Sequence, residues 1–484
     1  RETFGHIISE EDEVRLANLI YYPEKMINQI KQANEYTEDW QKTAVYRLVQ
    51  ICREVSSKYT RSKVRKKMPR EFSGVIDELL YVDNTDDNKT EYYSELINTL
   101  IDVRVADSFI VVICSLIRSL TIDNLHILGD IFDRGPRPDI ILEELMHFHD
   151  VDIQWGNHDI SWMGAATGNR ACICNVLRMA LGYNGFDVLE DGYGINLRPL
   201  SMFAERVYRD DPCTCFLPQI LDKNIYDAVD PKLAAKMHKA IAVLQYKEEG
   251  QIIKRHPEYG MEERILLSAI RYDRGTVTID GKEYPMRDMN FPTVDPADPL
   301  RLTDEEEELL HTLELSFRHN ARLHEHVRFL YSNGSMYKCC NSNLLYHGCI
   351  PMTENREFDG LMVGGKMYRG KELMDFIDTQ VKNAYFLPED APEKEACRDF
   401  MWYLWNGAKS PVFGKDKNRS FEHYFIEDPE VMRETMNPYY QLSEEEETCD
   451  MILKEFGLPT KGSHIINGHM PVKIKSGETP IRAG

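Results

Sequence analysis

Four side chains able to hold a metal ion, Asp130, Asn157, His347 and His469, each stand one or two residues past a short apolar run. The runs are Leu125 to Leu128, Val151 to Trp155, Asn343 to Tyr346 and His464 to Asn467. They are brief and rich in β-formers, so they predict buried strands. Four strand ends that meet would converge four donors on one point. Carboxylate, amide oxygen and imidazole form a donor set that suits manganese, iron or zinc, and metals so held hydrolyse phosphate esters. One histidine after a strand is more often structural; four donors in the same relative position are much harder to dismiss. Two compact motifs hold half of the set, Gly129 to Gly135 (Gly-Asp-Ile-Phe-Asp-Arg-Gly) and Gly156 to Asp159 (Gly-Asn-His-Asp).

Positioning these motifs falls to the elements between them. Ile140, Ile141, Leu142, Leu145 and Met146 recur at helical spacing behind Pro136 and Pro138, so Pro138 to Phe148 predicts a helix and the whole stretch a βαβ unit. Parallel strands in such a unit put both motif loops at the carboxyl edge of one sheet, where α/β proteins bind ligands. Residues 1–105 predict helices, with Leu16, Leu19, Ile20, Met26, Ile27 and Ile30 as an amphipathic stripe. Lys58, Arg61, Lys63, Arg65, Lys66, Lys67 and Arg70 form a basic cluster there, a solvated helix face or a contact for an anion. Asp83 to Thr90 predicts a polar loop, and Phe109 to Cys114 belongs to a helix closed by Arg118. Ala171 to Leu181 predicts a further helix, and residues 201–335 predict mostly helix, interrupted by an extended linker at Pro292, Pro296 and Pro299. Thr303 with Glu306, and Ser443 with Glu446 ahead of a helix ending near Gly457, fit capping boxes, so neither acidic run needs a functional explanation. Gly365, Gly370 and Lys371 mimic a phosphate loop, but Glu372 stands where a hydroxyl should hold magnesium, which rejects a nucleotide site.

A chain of 484 residues holds about three domains' worth of sequence. Its net charge of -22 and pI near 5.2 exclude a nucleic acid as main partner, while leaving room for a small phosphorylated metabolite at a locally positive site. No apolar run reaches the ~18 residues of a membrane span, and no signal peptide is visible. The 11 cysteines are odd in number and lack the Cys-x-x-Cys spacing of structural zinc, so they predict reduced thiols in a cytoplasmic protein.

The motif blocks, with histidine-glycine at His347 and glycine-histidine at His469, resemble the metallophosphoesterase superfamily. The longer blocks Ser57 to Lys63, Val151 to Asp159, Tyr193 to Leu200, Met401 to Trp405 and Ile465 to Val472 are similar to the class 3 fructose-1,6-bisphosphatases of bacteria. The resemblance implies an α/β fold of the metallophosphoesterase type, a two-sheet sandwich flanked by helices with large helical insertions. It implies hydrolysis of the 1-phosphate of fructose 1,6-bisphosphate at a site of two divalent ions, most readily Mn2+. Asp130 would bridge the ions, Asn157, His347 and His469 would hold the second, and a bridging water would attack phosphorus. His158 would protonate the leaving sugar oxygen, Asp133 would orient His158, and Arg134 would clamp the phosphate. A bisphosphate also needs a second cationic pocket, for which Arg61, Lys63, Lys415 and Arg419 are candidates.

The family's first metal block, an Asp-x-His followed by glycine, occurs nowhere in these residues. Because that block precedes the region Arg1 begins, the expectation is a fragment, and Gly484 likewise reads as a premature end. The expected layout is a helical region at 1–105, a first part of the core at 106–200, a mostly helical insertion at 201–335 and a second part of the core at 336–484. Two rival readings share the motifs. One is a metal-dependent protein serine/threonine phosphatase, disfavoured by the large helical regions. The other is a non-catalytic scaffold lacking the first metal site, opposed by the intact His158, Asp133 and Arg134. A homo-oligomer is left open.

Overall fold

The computed structural model describes residues 9–81, 87–219 and 230–483, with backbone alone at 87–90 and 476. It divides into two compact units, Arg1–Leu125 and His126–Gly484. The first is helical throughout its described residues, with helices Glu10–Tyr21, Pro23–Gln32, Glu38–Ser56, Arg61–Lys67, Ser73–Tyr81, Asp87–Asp102 and Ala106–Thr121. Ser9, Thr37 and Thr60 cap three of them, each side-chain oxygen accepting from a backbone N–H three residues on. Ala106–Thr121 is the axis of the unit. Phe109, Ile110, Ile113, Cys114, Ile117 and Leu120 recur at three- and four-residue steps and are buried, packing against Glu38–Ser56. At ~1.5–3 kcal/mol for each large apolar side chain, that stripe outweighs any surface pair in holding the unit together. The polar loop expected at Asp83 to Thr90 lies outside the described residues from 82 to 86, and from Asp87 onward the chain is helix instead.

The second unit is mixed α/β, with many helices around small sheets. Strands Leu125–Ile127, Val151–Gln154 and Gly334–Ser335 form one sheet in that order, the last two parallel. Strands His464–Asn467, Asn343–Tyr346 and Tyr337–Cys340 form another, in which His464–Asn467 runs parallel to Asn343–Tyr346 with Asn467 opposite Tyr346. The helix Pro138–Met146 joins the first two strands as expected. Arg170–Gly182 matches the helix read at Ala171 to Leu181.

The region 201–335 is less purely helical than its composition suggests. Ile270–Arg271, Thr276–Ile279 and Lys282–Pro285 form an antiparallel sheet, and the tight turn at Asp280 and Gly281 has both φ angles positive, at 49° and 77°. The helix Pro231–Arg255 is buried along its middle, where two of its lysines, Lys239 and Lys247, lie. Lys239 Nζ reaches Asp211 at 2.6 Å and Asp288 at 2.7 Å, and Lys247 Nζ reaches Glu306 at 2.6 Å. Buried ammonium groups survive only when paired in this way. The capping box is formed, with Thr303 N donating to Glu306 at 2.8 Å and Glu306 N to Thr303 at 3.2 Å. Glu306 thus both caps its helix and neutralises Lys247. The box at Ser443 is not formed: Glu445 is the N-cap of the helix Glu446–Glu455, and the Ser443 hydroxyl turns back to the Tyr440 carbonyl.

Candidate metal centre

Two glycines let the motif loops touch. A Cβ on Gly129, whose φ is +81°, would lie 2.4 Å from Gly156 N, and one on Gly156 would lie 2.2 Å from Asp130 Oδ1. Only bare backbone fits there, so Asp130 sits directly against the start of the helix Asn157–Ala166. Asp159, on the first turn of that helix, ties the loops together. Its carboxylate accepts from Asp130 N at 2.7 Å, Gly156 N at 2.9 Å and Phe132 N at 3.2 Å. Burial, and then the charge of Asp130, push this carboxyl up to about 6.

The second pair of strands delivers the histidines. Because His464–Asn467 and Asn343–Tyr346 are parallel and in register, the residues after them emerge side by side. One donor atom from each of Asp130, His347 and His469 lies within 4.8 Å of the other two, and among the described residues this is the one such cluster. His347 Nδ1 donates to the Leu128 carbonyl at 2.5 Å, which fixes its tautomer and turns Nε2 toward Asp130 Oδ2 at 3.3 Å and His469 Nδ1 at 3.1 Å. Asp130 and His469 adopt the left-handed backbone, with φ of 57° and 58°. Asn157 Oδ1 is buried and, among the described residues, has no hydrogen-bond partner. A carboxylate and two imidazoles within reach of one another, with an orphaned amide oxygen on the helix turn that meets Asp130, are what a divalent cation would satisfy, so these residues fit the metal that the donor set suggests.

Electrostatics point the same way. Burial works to raise Asp130, but His347 and His158 outweigh it and hold the carboxyl down at about 2. Burial lowers His347, and Asp130 more than compensates. His469 is pushed down to about 4 by burial, then by the neighbouring His347 and by the charge of Lys415. One ionised carboxylate thus faces two imidazoles, one of them held neutral.

Beside the cluster, His158 N donates to Asp130 Oδ1 at 3.2 Å. The His158 ring stands edge-on to Trp405 at 4.9 Å, and its Nε2 lies 3.2 Å from Asp133 Oδ1. Burial lowers its pKa, opposed by Asp130 and Asp133. The same Asp133 oxygen accepts from Arg134 Nε at 3.0 Å. Arg134 in turn lies over the Tyr183 ring at 4.9 Å and bonds its hydroxyl at 3.3 Å. Asp133, Arg134 and His158 line one cleft, closed by Phe132, Trp162 and Tyr183.

Of the four cations read as candidates for a second phosphate, two lie in each unit. Arg61 pairs with Asp77 at 2.6 Å and Lys63 with Asp123 at 2.8 Å, all within the first unit. In the second unit, Arg419 is buried among Asp280, Asp416 and Glu422. Lys415, paired with Glu434 at 2.6 Å, is the one whose charge acts on His469. Sequence reasoning missed the parts played by Asp159, Tyr183 and Trp405. Asp159 and Trp405 stand inside blocks already singled out, whereas Tyr183 carries no local signal.

Fold and side chains together define a mixed α/β protein with a candidate divalent-metal centre flanked by a histidine, a carboxylate and an arginine. The comparisons with known proteins name its kind. The sequence profile described as Firmicute fructose-1,6-bisphosphatase matches residues 1–484. The class 3 fructose-1,6-bisphosphatase of Clostridium tetani is 50% identical over 482 residues, covering 100% of this chain and 73% of that protein. Those of Clostridium novyi, at 49% over 482 residues and 72% of its length, and Bacteroides fragilis, at 50% over 484 residues and 73% of its length, also match 100% of this chain. The chain belongs to the Firmicute fructose-1,6-bisphosphatase family. No solved structure matches it. Among the described residues no helix is long and apolar enough to cross a membrane.

Proposed function

We propose that this chain is a phosphoric monoester hydrolase that cleaves the 1-phosphate of fructose 1,6-bisphosphate, giving fructose 6-phosphate and phosphate for gluconeogenesis. The observation that carries the reading, beyond family membership, is the Asp130, His347 and His469 cluster with His158 and Arg134 on its flank. A divalent cation, manganese in this reading, supplies Lewis acidity to the phosphoryl group and lowers the pKa of the attacking water. Asp130, Asn157, His347 and His469 would hold it. Arg134, anchored through Nε by Asp133 and through Nη1 by the Tyr183 hydroxyl, would present its guanidinium to phosphate oxygens. His158, protonated on both ring nitrogens, would give its Nδ1 proton to the departing sugar oxygen, while the Nε2 contact to Asp133 orients the ring and stabilises its charged form. Within the second unit, Lys415, whose charge bears on His469, would bind the second phosphate.

The same reading extends to the finer architecture. The two motif-bearing sheets are the halves of a metallophosphoesterase sandwich, assembled from residues 125–200 and 334–484, with the helical 1–124 and the mostly helical 201–333 as additions. The enzyme works in the cytoplasm on a soluble phosphorylated sugar. The test is phosphate release from fructose 1,6-bisphosphate by this chain in manganese, with Asp130→Asn as blank and a phosphoserine peptide as competing substrate. Release from the sugar that disappears in the variant supports the reading. Release from the peptide alone, or release that survives Asp130→Asn, overturns it.

A further inference from the structure

Away from this chemistry, the first unit holds a cavity of about 300 Å³ between the helices Glu10–Tyr21, Pro23–Gln32 and Glu38–Ser56. Leu16, Leu19, Met26, Ile30 and Ala44 form its apolar wall, with the indole of Trp40 alongside. Protein interiors leave few voids larger than a water molecule. This one reaches the lower end of the ~300–1,000 Å³ range of small-molecule sites, and like them it combines an apolar lining with a few polar groups.

Four charged side chains also line it, Asp12, Arg15, Glu35 and Arg47. Arg15 is 62% exposed and bonds Glu11 at 3.0 Å, and Glu35 is 59% exposed, so water and neighbours already satisfy both. Asp12, 42% exposed, stands in the first turn of its helix, where the macrodipole favours a carboxylate. Arg47 differs. Only 28% of its side chain is exposed, its nearest carboxylate oxygen, on Asp12, is 3.9 Å away, and among the described residues its guanidinium makes no hydrogen bond. A guanidinium offers five donors, and partial burial removes the water that would otherwise accept from them.

We propose that this cavity binds a small molecule bearing a single anionic group on a flat apolar body, the anion on Arg47 and the body against Trp40 and the Leu16, Leu19 and Met26 wall. A sugar phosphate fits poorly, because Gln29 and Thr43 are the only uncharged polar side chains of the lining and most of its hydroxyls would face carbon. A dianion is disfavoured as well, since Asp12 and Glu35 flank the one under-bonded cation. The site is therefore distinct in chemistry from the cleft beside the metal centre, and its existence does not depend on the phosphatase reading.

The test is calorimetric titration of the full chain with 2-naphthoate and with 2-naphthamide, two probes of the same shape that differ in charge. The expected result is saturable 1:1 binding of naphthoate, with naphthamide about tenfold weaker, the factor a lost charge-assisted hydrogen bond produces. Arg47→Gln should weaken naphthoate by about the same factor and leave naphthamide unchanged. Ala44→Phe, which fills the cavity, should abolish both. Arg47→Gln changes a side chain that makes no hydrogen bond among the described residues and keeps the test decisive even where Ala44→Phe disturbs folding. Absence of saturable binding, equal affinities for the two probes, or an Arg47→Gln protein that binds naphthoate as tightly as the parent overturns the proposal.

Discussion

Asp133→Asn keeps the shape of the side chain and removes its charge, so it isolates what the carboxylate does for the two groups that share its Oδ1. The contact to His158 Nε2 spans 3.2 Å, and His158 is only 12% exposed. A charge-assisted hydrogen bond so shielded is worth ~1.5–3 kcal/mol. The contact to Arg134 Nε spans 3.0 Å, but these partners are 44% and 40% exposed, and solvent reduces its worth to ~0.5–1 kcal/mol. Together they amount to ~2–4 kcal/mol, a loss of about 30- to 1,000-fold in kcat/KM. The larger share should fall on kcat, because His158 needs its counter-charge when it carries the proton that it passes to the sugar oxygen. The smaller share should fall on KM, through a less ordered Arg134. Steady-state phosphate release from fructose 1,6-bisphosphate at saturating manganese separates the two. A loss below about threefold, or a change in KM with kcat intact, would refute the pairing of Asp133 with a proton-donating His158.

Three further outcomes are expected. Asn157→Ala should weaken manganese binding by tenfold or more in calorimetry and leave the thermal midpoint of the metal-free protein unchanged, because the lost oxygen has no hydrogen bond to lose; undiminished metal affinity would remove Asn157 from the ligand set. Lys239→Met leaves Asp211 and Asp288 buried without their cation and should cost ~3–5 kcal/mol in urea unfolding, whereas an unchanged midpoint would show those carboxylates to be satisfied otherwise. Bonds from Arg65 and Arg61 hold Asp77 down at about 2. A carboxylate with a depressed folded pKa adds stability that is present above its unfolded value of ~3.9 and lost as pH falls toward the folded one. The double variant Arg61→Gln, Arg65→Gln should therefore be less stable than the parent near neutrality, with the gap closing between about pH 4 and pH 2; a gap that persists in acid would deny the ion pairs their role.

The candidate cluster of Asp130, His347 and His469 was legible because its signals are local. A short apolar run closed by glycine and a donor is readable at each of four places, and parallel register does the rest. What stayed hidden depends on partners far along the chain. Lys239 and Lys247 look like surface residues until Asp211, 28 residues away, and Glu306, 59 residues away, are seen to accept from them. Tyr183 lies 49 residues from Arg134, and no periodicity announces that pairing. The sheet at 270–285 was a different kind of miss. Asp280 and Gly281 between two β-rich runs are a strong hairpin signal, overridden by the helical character of the surroundings. Ser443 shows the converse: the right residues at capping distance fail to cap, because the chain continues its turn for two residues before the helix begins.

Asp130 and His469 hold their donors from a backbone conformation that L-residues avoid, at ~1–2 kcal/mol each for most side chains. Glycine would relieve that strain at both places and abolish the donors in the same step. A library of this protein screened only for heat resistance would thus drift toward glycine at 469, where burial and His347 already weigh on the imidazole, whereas at 130 the lost attraction to His347 and His158 offsets the gain. Position 469 is a built-in gauge of selection: a histidine retained there marks a lineage in which something other than endurance was being kept.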